Sequence, residues 1–472
     1  MQIISFPFLG CFAVLLALHW FMPRKAPWQN VLLLLASLGY LCSWGWATPI
    51  VVLASTVLEW IVSRRLGATE SVRGRLALLW TSIALNLGTV ILFKYAMFLK
   101  MIVPVIPFVP QGDVFVHLLI PVGVSFWVLQ KMTLTYDVYY RRKPAEPSLL
   151  RCILFTSFFP TLLSGPIERS RHFLPQLDRV RTWDTQRFSQ GVWLIAIGIF
   201  QKVVIADNAG TVVDELYRPE NHGGIAIYLG MIAYSVQLFG DFAGYSDMVR
   251  GVSRLVGIEV TRNFAAPYLS QNLSDFWKNW HVSFSSWLND FVFNPTLMAV
   301  RDFGAAAVIV ATWITFLISG LWHGTGWNFV VYGSLHALGL SVYALTRDRR
   351  KAFAKLHKND RWPTVLAIVA TFHWVCFTFL FFHARDLPQA LSQVGELFTG
   401  SWNPFGSSLS VTWGIFVATL LGVAGLHYLI RSHGEFWAFK APVWVRVFVY
   451  LALGLLMLRF YAPSERFLYF QF

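Results

Sequence analysis

Two stretches of this 472-residue chain gather residue types capable of proton-transfer chemistry within otherwise apolar sequence. The first opens at Gly240-Asp241-Phe242-Ala243-Gly244-Tyr245-Ser246-Asp247, where two carboxylates and a phenol close an apolar run. It leads on to Trp277-Lys278-Asn279-Trp280-His281. The second is Ser319-Gly320-Leu321-Trp322-His323-Gly324-Thr325-Gly326-Trp327-Asn328, a histidine set among glycines that let backbone or ligand approach closely. A neutral imidazole is the usual general base for taking a proton from a hydroxyl near neutral pH. Acyl transfer to an alcohol needs such a base, an oxyanion donor and a route for each substrate. Asn328, Trp322 or a glycine N–H is the candidate donor. Ionisable side chains in apolar sequence are costly, which makes His281 and His323 the candidate catalytic residues. Trp322, Asn328, Trp277, Asp241 and Tyr245 are the candidates for lining the substrate site.

The remaining polar residues have plainer readings. His19, His373 and His427 read as packed or interfacial, and His336, thirteen residues after His323, as structural. Asp241 and Asp247 read as helix caps or as partners of Arg250 and Arg254. His281 and His323 are 42 residues apart, with no histidine at i,i+4 and no cysteine partner, so no metal site is expected. Cys11, Cys42, Cys152 and Cys376 lie in apolar stretches without disulfide or metal spacing and read as core thiols. On residue types alone, a transporter or channel with a buried polar centre fits as well as an enzyme.

The elements that must position these residues are membrane helices. The chain is 56% hydrophobic and 13% charged, where soluble domains carry roughly a quarter charged residues. Apolar runs recur at 3–22, 28–46, 49–63, 76–98, 114–134, 188–206, 224–246, 305–322, 327–346, 362–382, 408–430 and 446–461. Runs near ~20 residues without period-2 alternation predict helices rather than a transmembrane barrel. The first has no basic leader or small-residue cleavage site and reads as a membrane helix rather than a signal peptide. The stretches 151–166 and 263–300 are apolar but interrupted by proline, glycine and polar residues, and are expected to be re-entrant. The net charge of +14 sits in short loops, a positive-inside pattern and not a nucleic-acid surface. It places both termini outside and the basic loops, including 347–361, inside, with the acidic loop 207–223 outside. The expectation is an all-α, single polytopic domain over 1–472, with a core at about 115–346 and C-terminal helices at about 362–461.

At these residues the chain resembles the membrane-bound O-acyltransferase (MBOAT) family. The resemblance runs through Ile120-Pro-Val-Gly-Val-Ser-Phe126, Phe159-Pro-Thr-Leu-Leu-Ser-Gly-Pro-Ile-Glu-Arg169, Gln201-Lys-Val-Val-Ile-Ala-Asp207, Gly240–Asp247 and Phe264-Ala-Ala-Pro-Tyr-Leu-Ser270. Its strongest parts are Phe276-Trp-Lys-Asn-Trp-His-Val-Ser-Phe-Ser-Ser-Trp-Leu288 and Gly320-Leu-Trp-His-Gly324. It is closest to the bacterial branch that contains polysaccharide O-acetylating and D-alanyl-transferring members. The resemblance implies a ring of about 11–13 tilted helices plus re-entrant segments around a central histidine tunnel. It maps the family's catalytic histidine onto His323 and its second histidine onto His281. It further implies an acyl thioester donor such as acetyl-CoA, no bound cofactor or metal, and an inner-membrane location. A periplasmic acetyltransferase- or esterase-like partner and a polysaccharide synthesis complex are the implied partners. Arg169, Arg171 and Lys351 are candidates for attracting the donor's phosphates, against the simpler reading of ordinary positive-inside bias. Between the two histidines, alginate-type members carry a Gly-Gly-Asn-Arg-like turn. This chain has Asn294-Pro-Thr-Leu-Met-Ala-Val-Arg-Asp302 there, closer to the D-alanyl branch, so the donor stays open at this point.

Overall fold

A computed structural model describes residues 3, 5–23, 25–45, 47–94, 123–218, 223–358, 360–400, 402 and 410–461. The start of the expected run 114–134, the first three residues of the Ile120–Phe126 motif and the closing residues 467–472 lie outside the described residues. Helices and their connections make up the described chain, with no strand among the described residues. Among the described residues, seven helical segments are long and apolar enough to cross a membrane: Val72–Phe93, Thr185–Leu216, Gly224–Leu255, Ala306–His323, Trp327–Leu345, Trp362–His383 and Trp413–His433. Phe6–Phe21 and Ala26–Cys42 are shorter apolar helices. The chain is a multi-pass membrane protein. It divides into two compact units, and the division falls inside two of the long helices.

The first unit comprises 1–195 and 248–261. Its leading helices are α1 (Phe6–Phe21), α2 (Ala26–Cys42), α3 (Ala47–Ala68), α4 (Val72–Lys94), α5 (Val124–Tyr139) and α6 (Leu149–Ser157). Local sequence starts them. Ser5 accepts from the Phe8 amide at 3.4 Å ahead of Pro7, and Ser148 accepts from the Arg151 amide at 3.4 Å. Arg75 closes two helix ends at once, donating to Leu66 O at 3.0 Å, Val138 O at 2.9 Å and Tyr139 O at 2.8 Å. The buried Glu59 carboxylate accepts from Ser82 Oγ and Asn86 Nδ2, each at 2.7 Å. The break expected within 151–166 is real: the chain leaves helix after Ser157 and regains it at Ser170. Its amides find side chains, Phe159 N donating to Ser37 Oγ (3.2 Å), Glu168 N to Gln130 Oε1 (3.2 Å) and Ser170 N to Thr133 Oγ1 (3.0 Å). Arg169 is buried within this packing and Arg171 pairs with Asp137 at 3.5 Å. Arg169 is therefore no surface cation open to a phosphate, because the motif that carries it folds inward.

The second unit comprises 196–247 and 262–472. It holds the end of α7 (Thr185–Phe200), a π-helical turn (Gln201–Ala206), α8 (Asp207–Leu216) and most of α9 (Gly224–Leu255). Two expectations need correction here. The acidic loop expected from 207 is helical to Leu216, and Gly240–Asp247 lies inside α9 rather than ending it. The physical reason is pairing: Lys202 Nζ lies 2.7 Å from Asp241 Oδ1 and 2.8 Å from Asp207 Oδ1, so both carboxylates are tolerated mid-helix. Stretch 263–300 is broken as expected, into α10 (Leu273–Asn279), α11 (Val282–Leu288), a π turn (Asn289–Phe293) and α12 (Asn294–Ala299). Then come α13 (Ala306–His323), α14 (Trp327–Leu345), α15 (Arg347–Leu356), α16 (Trp362–His383), α17 (Leu387–Thr399), α18 (Ser410–His433) and α19 (Val443–Arg459). The basic stretch expected as a loop at 347–361 thus forms α15, and α17 is an amphipathic helix that apolarity alone does not reveal.

Helices α13 and α14 form the hairpin that carries His323, and they touch through glycine. A Cβ on Gly320 would lie 2.3 Å from Phe329 O, and one on Gly333 2.2 Å from Phe316 O. No side chain fits either position without parting the helices. Gly333→Val should therefore destabilise the protein by about 1–3 kcal/mol, the usual cost of overpacking. Thermal unfolding in detergent, with Gly339→Ala as a second packed-glycine comparison, measures it.

Candidate functional site

His281 sits where the backbone turns over between α10 and α11. Its φ is 44° and its ψ 52°, the left-handed region that costs a non-glycine residue energy and in which histidine is tolerated better than most. That strain is held by Asn263, a fully buried residue. Asn263 O accepts from the Val282 amide at 3.0 Å, and its Oδ1 accepts from the Ser283 amide at 3.1 Å. Its Nδ2 donates to Ser246 Oγ on α9 at 3.3 Å. Asn263 thus caps α11 from a distance, doing the work a helix usually assigns to the residue where His281 stands.

His323 ends α13 and is 5% exposed, and His281 is 1% exposed. Both imidazoles are walled by rings, and two of those rings are shared. The Phe284 ring centroid lies 5.1 Å from that of His281 and 5.9 Å from that of His323; the corresponding Trp322 distances are 6.2 and 4.8 Å. Phe242 of α9 closes on His281 at 4.7 Å, and Phe382 and Tyr332 close on His323 at 5.0 and 5.8 Å. Gly324 completes the wall, since a Cβ there would meet the Phe329 ring at 2.1 Å. Both imidazoles are thus buried behind rings that they share.

The other sequence-selected residues fall into distinct places. Trp322 is part of the shared wall. Asn328 is fully buried, but both amide hydrogens are engaged, donating to Phe381 O at 3.1 Å and Ala384 O at 2.9 Å. It ties α14 to the end of α16 and has no hydrogen left for an oxyanion. Trp277 donates its indole N–H to His336 Nδ1 at 3.3 Å, while His336 Nε2 lies 3.1 Å from Thr378 Oγ1. Indole only donates, so His336 is the neutral Nε2–H tautomer, fully bonded and structural as read from the sequence. Asp241 is engaged with Lys202, and Tyr245 is buried one turn further along α9. What that helix sets against His281 is Phe242.

The structure adds Ser319, one turn before His323 on the same face of α13. Hydroxyls on these helices otherwise close on the carbonyl four residues back: Thr312 on Val308 and Thr315 on Ala311 at 2.7 Å, Ser334 on Val330 and Ser341 on Ala337 at 2.8 Å. Ser319 Oγ is fully buried and has no partner among the described residues. Sequence reading assigns neither Asn263 nor Ser319 a role, although each stands in a stretch it singles out. One lay in a loop of polar residues, the other among small residues of an apolar helix.

The profile of the membrane-bound O-acyltransferase family matches residues 39–383, a span that contains both histidines. The chain belongs to this family. Among its relatives, "Probable alginate O-acetylase AlgI" of Azotobacter vinelandii is 31% identical over 431 residues, covering 89% of this chain and 82% of the relative. "Peptidoglycan O-acetyltransferase" of Helicobacter pylori is 29% identical over 76% of this chain and 72% of the relative. "Teichoic acid D-alanyltransferase" of Bacillus subtilis is 33% identical over 63% of this chain and 77% of the relative. Membership makes this chain a membrane acyltransferase. Among the described residues, no group of three histidine, cysteine, aspartate or glutamate side chains could hold a metal ion.

Because Asn263 carries the turn, Asn263→Ala should cost about 1 kcal/mol or more, as lost helix caps do. Asn263→Asp keeps the acceptor for the Ser283 amide and should retain most of the stability. Melting temperatures of both variants against the native protein check the order.

Proposed function

We propose that this protein takes an acetyl group from a cytoplasmic thioester, acetyl-CoA, and passes it across the inner membrane for O-acetylation of an exported or cell-wall polysaccharide. The observation that carries the reading is the aromatic box. It holds two histidines inside a family match, and relatives named as O-acetylating proteins align over 89% and 76% of the chain. His323 is the general base for the acceptor hydroxyl, and His281 orients the thioester carbonyl across the shared Phe284–Trp322 wall. Ser319 replaces Asn328 as donor to the developing oxyanion, which accounts for a buried hydroxyl kept without a partner at a cost of about 1–3 kcal/mol. Asn328 and Trp277 hold the helices that frame the box, and Asp241 holds α9 through Lys202. The chain acts as one polytopic domain. The acceptor is reached through a periplasmic acetyltransferase- or esterase-like partner of a polysaccharide synthesis complex.

A second reading has its own support. The 33% identity to a teichoic acid D-alanyltransferase makes D-alanyl transfer from a carrier protein the alternative, on a narrower 63% of the chain. Purified protein in liposomes, offered labelled acetyl-CoA or a D-alanyl-charged carrier protein, separates the two. Label taken from acetyl-CoA alone supports acetyl transfer, and label taken from the carrier alone overturns it. His323→Ala should lower transfer by about 10²–10⁴-fold with folding intact, the range of general-base catalysis. Ser319→Ala should lower kcat by about 10²-fold, as loss of one oxyanion donor does, while the melting temperature holds or rises. A Ser319→Ala variant of native turnover removes the hydroxyl from the reaction.

A further inference from the structure

A half-open cavity of about 550 Å³ lies among α10, α11, the following π turn, α13 and α14, and neither His281 nor His323 lines it. Its apolar wall includes Val282, Phe293, Val308, Phe316, Leu340 and Ala344. Four of the hydroxyls in that wall point their hydrogens back into the protein, and those of Ser274 and Tyr343 line it as well. Ser285 donates to Trp280 O at 2.9 Å, Ser286 to Ser283 O at 3.0 Å, and Thr312 and Thr315 to their own helix at 2.7 Å. The wall is therefore mostly apolar, with few donors turned towards a ligand, and suits hydrocarbon. Lys278 and Asn289 are different: both line the cavity, both are exposed, and Lys278 is in no ion pair among the described residues. Among the described residues, no acidic side chain lines the cavity.

Apolar walls beside one unneutralised cation and one free amide match an amphiphile with an anionic head. A soluble anion would leave the wall wet, and a neutral hydrocarbon would leave Lys278 without a counter-charge. Two walls of the cavity, α13 and α14, are membrane-spanning helices, so lipid is their ambient solvent. The volume lies within the ~300–1,000 Å³ typical of ligand sites. We infer that this cavity binds an acyl chain of an anionic phospholipid, with the lipid phosphate held by Lys278 and Asn289. The chain end packs against Trp277 and Phe316, whose rings meet at 5.1 Å, and Trp277 carries that contact to His336. The bound lipid is then part of the packing behind the histidine hairpin.

The test measures lipid on the full-length protein purified in mild detergent. Native protein should retain about one phosphatidylglycerol per chain by quantitative mass spectrometry of extracted lipid. In mixed phosphatidylglycerol–phosphatidylcholine nanodiscs it should prefer the anionic lipid about fivefold, the factor one basic residue contributes near a charged surface. Val308→Trp fills the cavity from α13 and should lose the retained lipid while keeping the native circular dichroism. Leu340→Phe fills it from α14, so a folding defect in one variant leaves the other to decide. Lys278→Gln should keep a lipid but lose the fivefold preference. Equal retention in the native and both filled proteins overturns the inference, as does an unchanged preference in Lys278→Gln. Stoichiometric displacement of the lipid by an acyl thioester would assign the cavity to the donor instead, and would also overturn it.

Discussion

A helix that breaks inside a packed membrane protein leaves backbone amides that neither lipid nor water can reach, and each must find an acceptor within the chain. Much of the site in this protein depends on how that demand is met after residue 280. Asn263 accepts from the two amides that follow His281, and so allows a left-handed histidine to stand between α10 and α11. With the cap supplied from elsewhere, the imidazole is not needed to satisfy backbone and faces Phe242, Phe284 and Trp322 instead. The same solution recurs in the first unit, where Ser37 and Gln130 serve amides of the non-helical 158–169 stretch and Thr133 serves that of Ser170, where helix resumes.

The aromatic box is the second consequence. Rings pack densely around both imidazoles, and aromatic contacts contribute about 0.5–1.5 kcal/mol each beyond area burial. The contrast with His336 is instructive. Both of its nitrogens are taken, by Trp277 and Thr378, so the same residue type a few turns along α14 is a packing element. Buried charge follows a third rule: Lys202 binds two carboxylates across a π turn, the kind of helix distortion often found near functional sites.

Most of the architecture was legible because hydrophobic run length is a strong signal. Residues 305–322 and 327–346 emerged within a residue or two of α13 and α14, and the broken character of 151–166 and 263–300 followed from their prolines and polar residues. The failures share a cause. Asp207, Asp241 and Asp247 were read as loop or helix-end residues because carboxylates rarely sit mid-helix in membranes, and the partner that permits two of them, Lys202, is remote from Asp241 in sequence. Asn328 looked like a free donor, and only tertiary structure shows its hydrogens committed to α16. Ser319, though it opens the Ser319–Asn328 stretch, takes no role from sequence for the opposite reason. Nothing local says that one serine among many will lack the i−4 bond that its neighbours make.

The central claim is that the Phe284–Trp322 box, with His281 and His323 on it, is where the acyl group is transferred. The most direct measurement is an experimentally determined structure of the protein with a non-hydrolysable thioether analogue of acetyl-CoA. The account predicts the analogue's carbonyl inside the box, within hydrogen-bonding distance of Ser319 Oγ and an imidazole nitrogen of His281 or His323. An analogue that binds productively with its carbonyl outside the ring-walled space, and out of reach of both histidines, would contradict it.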